Sequence, residues 1–102
     1  MDKIIENAIL TIKENVDPEK IILFGSKVKN PNNDSDYDLC ILKSNIKHKR
    51  KLAHYLYKLL YNLKIAVDLI VDTPEHFDEL KNESSFIYHE IMKTGKVIYE
   101  KK

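Results

Sequence analysis

Three carboxylates, a glycine-serine pair and two lysines carry the chemistry this sequence can do. Gly25-Ser26 closes the apolar run Ile21-Ile22-Leu23-Phe24, and nine residues later Asp36-Tyr37-Asp38 enters a second apolar run. Residues two apart on a strand share a face and stand ~6.6 Å apart along it. A strand here therefore turns Asp36 and Asp38 one way and sends Tyr37 the other, into the core. Two carboxylates so placed can share hard cations at ~2.1 Å, with phosphate oxygens completing the coordination, which suits magnesium. A residue without Cβ at position 25 lets the backbone turn sharply and lets a phosphate come close. Ser26 can open a short helix whose free N–H groups attract an anion, and Lys27 and Lys29 add positive charge. This layout suits a nucleoside triphosphate with two magnesium ions.

Neither half of the pattern is specific alone. Asn32-Asn33-Asp34-Ser35 is also ordinary turn composition. The third acid adds weight: Asp68 interrupts Ile65-Ala66-Val67-Asp68-Leu69-Ile70-Val71, and an ionised group in an apolar strand is expensive unless paired or metal-bound. Asp34 and Asp72 read as turn residues and Asp78 as a helix residue. Asp72 is the reserve acid, because it can share the Asp68 face.

Positioning these groups requires alternating helices and strands. Ile5, Ala8, Ile9, Ile12 and Val16 follow helical spacing over residues 2 to 16, and Asp17-Pro18 stops that helix. A strand follows over about 20 to 25, then a short helix after Gly25, a turn at Asn30-Pro31-Asn32-Asn33, and a strand over about 36 to 43. Leu52, Leu56, Leu59, Leu60 and Leu63 make one stripe of a helix over about 46 to 62, which leads into the Asp68 strand. The order is α-β-(short α)-β-α-β-α-β, a pattern that favours a sheet covered by helices.

Composition narrows the function classes. The 102 residues are 43% hydrophobic, enough for one core, so 1–102 is read as a single domain. With 17 basic and 16 acidic residues the net charge is +1, which argues against a general nucleic-acid binder. The lone Cys40 allows no internal disulfide, and His48, His54, His76 and His89 have no zinc-ligand spacing. No apolar run reaches the ~20 residues of a membrane span, and Met1-Asp2-Lys3 is not a signal-peptide start; the expected location is cytoplasmic. Lys47-His48-Lys49-Arg50-Lys51 is either a solvated face or a docking patch for an acidic partner or RNA. Tyr55, Tyr57 and Tyr61 cannot all lie on the buried stripe of their helix, and exposed tyrosines often mark interfaces.

The Gly-Ser, nine-residue gap and Asp-x-Asp, with a third Asp on a later strand, resemble the signature of the nucleotidyltransferase superfamily related to DNA polymerase beta. The whole chain is similar to its minimal nucleotidyltransferase (MNT) branch, including the ending Ile91-Met92-Lys93-Thr94-Gly95-Lys96-Val97-Ile98-Tyr99, a helix running through Gly into a short strand. The resemblance implies an α/β (α+β) fold with a small mixed sheet flanked by helices. It implies that Gly25 and Ser26 hold the triphosphate, and that Asp36, Asp38 and Asp68 bind two Mg²⁺ ions and catalyse transfer from ATP. Many members read Gly-Ser-x-x-Arg-Gly, where this chain has Lys29 and Asn30. Lys29 offers a point charge in place of a planar guanidinium, and Asn30 can adopt the left-handed conformation of the usual Gly.

Chains of this size resemble antitoxins that move AMP onto a tyrosine of a helical HEPN-domain ribonuclease toxin, which implies such a toxin as partner. Two alternatives stand beside that reading: transfer to a small molecule such as an aminoglycoside with a helical partner subunit, and a non-catalytic antitoxin acting by contact alone.

Overall fold

A computed structural model describes residues 2–102. Helix α1 spans Lys3–Val16, and Asp2 caps it by accepting the Ile5 amide at 2.8 Å. Ile5, Ala8, Ile12 and Val16 are its buried residues, and Asp17 ends it in a left-handed conformation. Strand β1 (Lys20–Phe24), the single-turn α2 (Ser26–Lys29) and β2 (Tyr37–Leu42) follow. Helix α3 (Lys49–Asn62) leads to β3 (Val67–Asp72), then α4 (Pro74–Leu80), α5 (Ile87–Thr94) and β4 (Lys96–Glu100).

The four strands form a mixed sheet in the order β3-β2-β1-β4. Strands β2 and β3 run parallel, joined through α3, while β1 is antiparallel to both β2 and β4. Strand alternation gives each face its own core. Ile21, Leu39, Ile41 and Val67 pack against α1 and α3. Ile22, Phe24, Cys40 and Leu42 pack on the opposite face against Phe77 of α4 and Tyr88 and Ile91 of α5. Gly95 makes the last turn possible: a Cβ there would overlap the Ile91 carbonyl oxygen and stand 2.8 Å from Ile22 Cγ2.

Four expectations need correction. The expected single helix before the last strand is two, α4 and α5, parted by the polar stretch Asn82-Glu83-Ser84-Ser85. Helix α3 starts at Lys49 rather than 46, because the backbone at His48 is extended (φ −139°, ψ 94°) and the helix begins only after it. Leu63 leaves the stripe: it is the C-cap and is exposed. Asn30 has φ −143°, so the turn after α2 needs no left-handed residue.

Candidate active site

On the face covered by α4 and α5, β-sheet register stacks residues into rows. Phe24 pairs with Asp38 and Asp38 with Asp68; one row along, Ile22 pairs with Cys40 and Cys40 with Ile70. The second row is roofed by the helices, whereas Asp38 is only half-buried and Asp68 is exposed. Asp38 and Asp68 are therefore direct neighbours on adjacent parallel strands ~4.8 Å apart, at the open end of a half-covered face.

Gly25 supplies the floor of this opening. Its φ of 76° and ψ of −154° lie in a region that essentially only glycine occupies. A Cβ built there would fall on Asp38 Oδ2 and stand 3.1 Å from its Cγ. Ser26, exposed, then begins α2. The connecting loop is held from within: the Ser26 carbonyl accepts the Asn30 amide at 2.8 Å and the Asn33 side-chain amide at 3.2 Å.

Burial, together with the charges of Asp68 and then Asp36, raises the Asp38 pKa above the ordinary carboxylate range. A divalent cation would relieve this repulsion on the Asp38 carboxylate. Among the described residues, no three His, Cys, Asp or Glu side chains converge as a ready-made metal cluster. Magnesium is usually held by one or two carboxylates plus substrate phosphates rather than by an all-protein cage. Asp38 and Asp68 are hard oxygen donors of the right kind, and their pairing fits such an ion.

The other expected groups are placed less directly. Strand geometry begins only at Tyr37, so Asp36 is set by the preceding turn rather than by alternation; it is exposed and lines a groove beside Tyr57 and Tyr61. Lys29 is exposed on the last turn of α2. Lys27 is already engaged: its Nζ donates to the Asn33 carbonyl at 2.7 Å and sits 4.6 Å from the centre of the Tyr37 ring. The Tyr37 side chain packs against the first core, as expected, but its hydroxyl donates to Asp2 at 2.8 Å. Burial, then that carboxylate, pushes the phenol up to about 12. Asp2, Lys27 and Tyr37 thus tie the start of α1, α2 and the entry to β2 together. The sequence offered no periodic signal for this tie.

Asp72 is not a turn residue. It ends β3, is 2% exposed, and lies on the Asp68 face but at the far end of the strand. It accepts from Tyr88 Oη, His76 Nδ1 at 2.6 Å, the Thr73 amide at 2.8 Å and Lys49 Nζ at 3.2 Å. Burial alone would raise its pKa, but these donors prevail and hold it down at about 2. Four residues of strand, ~13 Å, separate it from Asp68. Asp72 is a structural acid joining β3, α3, α4 and α5.

A glycine turn, a short helix and a pair of strand carboxylates thus meet at the open end of a mixed α/β sheet. The chain belongs to the family described as Polymerase beta, Nucleotidyltransferase, which matches residues 6–102. No curated protein matches it in sequence. Among solved structures it is similar to the crystal structure of a toxin-antitoxin with AMP-PNP: 25% identity, TM-score 0.65, covering 95% of this chain and 74% of that one. It is also similar in fold to a toxin-antitoxin MntA-HpeT mutant: 23% identity, TM-score 0.63, with the same coverage of 95% and 74%. No described helix is long and apolar enough to cross a membrane.

Proposed function

We propose that the chain is an antitoxin-type nucleotidyltransferase that moves AMP from ATP onto a tyrosine of a HEPN-domain ribonuclease toxin in the cytoplasm. The observation that carries this reading is the pairing of Asp38 with Asp68, with Gly25 against Asp38, on the open end of a nucleotidyltransferase sheet. Similarity to a toxin-antitoxin crystallised with AMP-PNP supports the partner class and the nucleotide.

In the proposed reaction the acceptor oxygen attacks the α-phosphorus in line. A new P–O bond forms, the bond to the bridging oxygen breaks, and pyrophosphate departs with that electron pair. Asp68, the more exposed of the paired acids, would take the hydroxyl proton. Gly25 leaves room for the Asp38 carboxylate, and with Ser26 and the amides at the start of α2 it would hold the β- and γ-phosphates. Asp36, Asp38 and Asp68 would hold Mg²⁺, which when bound supplies charge neutralisation of the phosphates. The protein's own share is mainly positioning and electrostatic preorganisation.

Intact-mass analysis of the partner toxin after incubation with the chain, ATP and magnesium tests the reading. The expected result is a gain of AMP-sized mass that disappears in the Asp36→Ala, Asp38→Ala double variant. A tight complex with no mass gain would overturn catalysis in favour of inhibition by contact alone.

A further inference from the structure

We infer that the outer face of α3, together with the free edge of β3, docks an acidic protein segment that carries the acceptor hydroxyl; this rests on the nucleotidyltransferase reading. Charge is the first observation. Residues 47 to 64 include six Lys or Arg and no Asp or Glu, although the whole chain carries 17 basic and 16 acidic residues. The positive charge is thus concentrated on one segment, and the rest of the chain is net acidic. Among the described residues, Arg50, Lys51 and Lys58 make no ion pair with any carboxylate of the chain.

Shape is the second. A trough runs along this face: a hollow of about 390 Å³ beside Arg50, Lys51 and His54 shares His54 and Tyr57 with a groove of about 530 Å³. From Arg50 to Tyr61 the helix advances ~17 Å, room for several residues of a bound segment. The groove wall is apolar, formed by Ile65, Ala66 and Val67 with the rings of Tyr57 and Tyr61, and Tyr61 is 80% exposed. Exposed tyrosines over an apolar wall with cations beyond are the make-up of a protein interface with a polar rim.

Position is the third. Asp36 lines the same groove, so a segment lying in it reaches the candidate active site without leaving the surface. The wall is also a sheet edge, since β3 ends the strand order and its Leu69 amide is satisfied only by Tyr57 Oη at 2.9 Å. These features favour a polypeptide over RNA. The apolar wall packs apolar side chains and the open edge of β3 pairs with a main chain, neither of which a sugar-phosphate backbone offers.

The probe is a fluorescein-labelled, glutamate-rich peptide with one central tyrosine, titrated into the native chain and read by anisotropy. A lysine-rich analogue and labelled oligouridylate are run beside it. The expected result is selective binding of the acidic peptide, weakened roughly tenfold by Arg50→Glu, Lys51→Glu and separately by Tyr61→Ala, as for a central interface aromatic and its charged surround. Binding of a fluorescent ATP analogue by these variants should match the native chain, which shows that the fold and nucleotide site are intact. No peptide binding, equal binding by native and variant chains, or tighter oligouridylate binding lost in the same variants would each overturn the inference. A peptide that binds through α3 but receives no nucleotide from ATP and magnesium would uphold docking and defeat the transfer reading.

Discussion

The Asp38 carboxylate occupies the space that a Cβ on residue 25 would fill. This contact makes glycine at position 25 a requirement of the acid as much as of the turn. Gly25→Ala should displace Asp38 and force a backbone conformation that costs about 1–3 kcal/mol. Misplacing a reacting group by ~1 Å can cost on the order of 10²-fold in rate, so nucleotidyl transfer should fall by at least that factor. Single-turnover transfer and denaturant unfolding measured on the same variant check both effects; full activity would show that Asp38 does not need its place against the turn.

Asp38 should trade stability for activity. Its pKa is raised in the fold, by burial first and then by the charges of Asp68 and Asp36, so its ionised form at neutral pH opposes folding. Asp38→Asn removes that opposition. The variant is expected to melt at the native temperature or slightly above it, while transfer drops on the order of 10³-fold. Magnesium with ATP should raise the melting temperature of the native chain and not of the variant.

Asp72 predicts an acid limit for the fold. Its pKa falls from 3.8 to about 2 on folding, so its contribution is complete above pH ~4 and is lost as pH falls toward 2. By linkage that contribution is ~2 kcal/mol. Asp72→Asn should lower stability at pH 7 by about this amount and flatten the dependence between pH 4 and 2, as followed by urea unfolding across that range. An unchanged pH profile would mean that other carboxylates set the limit.

Cys40 is fully buried, and burial first, then the Asp72 charge, pushes its thiol up to about 12. A buried, protonated thiol is a poor nucleophile. The native chain should resist an aromatic disulfide reagent at pH 8 and react fully once unfolded in guanidinium. Rapid labelling without denaturant would place Cys40 nearer the surface.

Much of this arrangement is legible in the residues, and the failures have physical causes. Gly25 with Ser26, and Asp68 in its apolar run, stood out because each breaks the local pattern of an apolar strand. Tyr37 was assigned correctly to the opposite face by alternation. Asp72 was misread because its partner Tyr88 lies sixteen residues away on α5, and no local rule reports such a bond. Alternation through Asp68, Ile70 and Asp72 was the available signal. Lys27 was read from its charge, and its contacts with Asn33 and Tyr37 were not legible because they are set by a loop whose path composition does not specify.

The register between Lys20 and Glu100 has a consequence for how the molecule is made. Strand β1 stands inside the finished sheet, yet one of its two neighbours comes from the other end of this sequence. During synthesis the segment from α1 to β3 emerges with one side of β1 unpaired, an open template for a foreign strand. Ile22, whose contact with Gly95 waits on the same event, also stays uncovered. A chain stopping before Lys96 thus leaves β1 open to a foreign strand, which makes the interval before β4 arrives a stage at which a chaperone has much to protect.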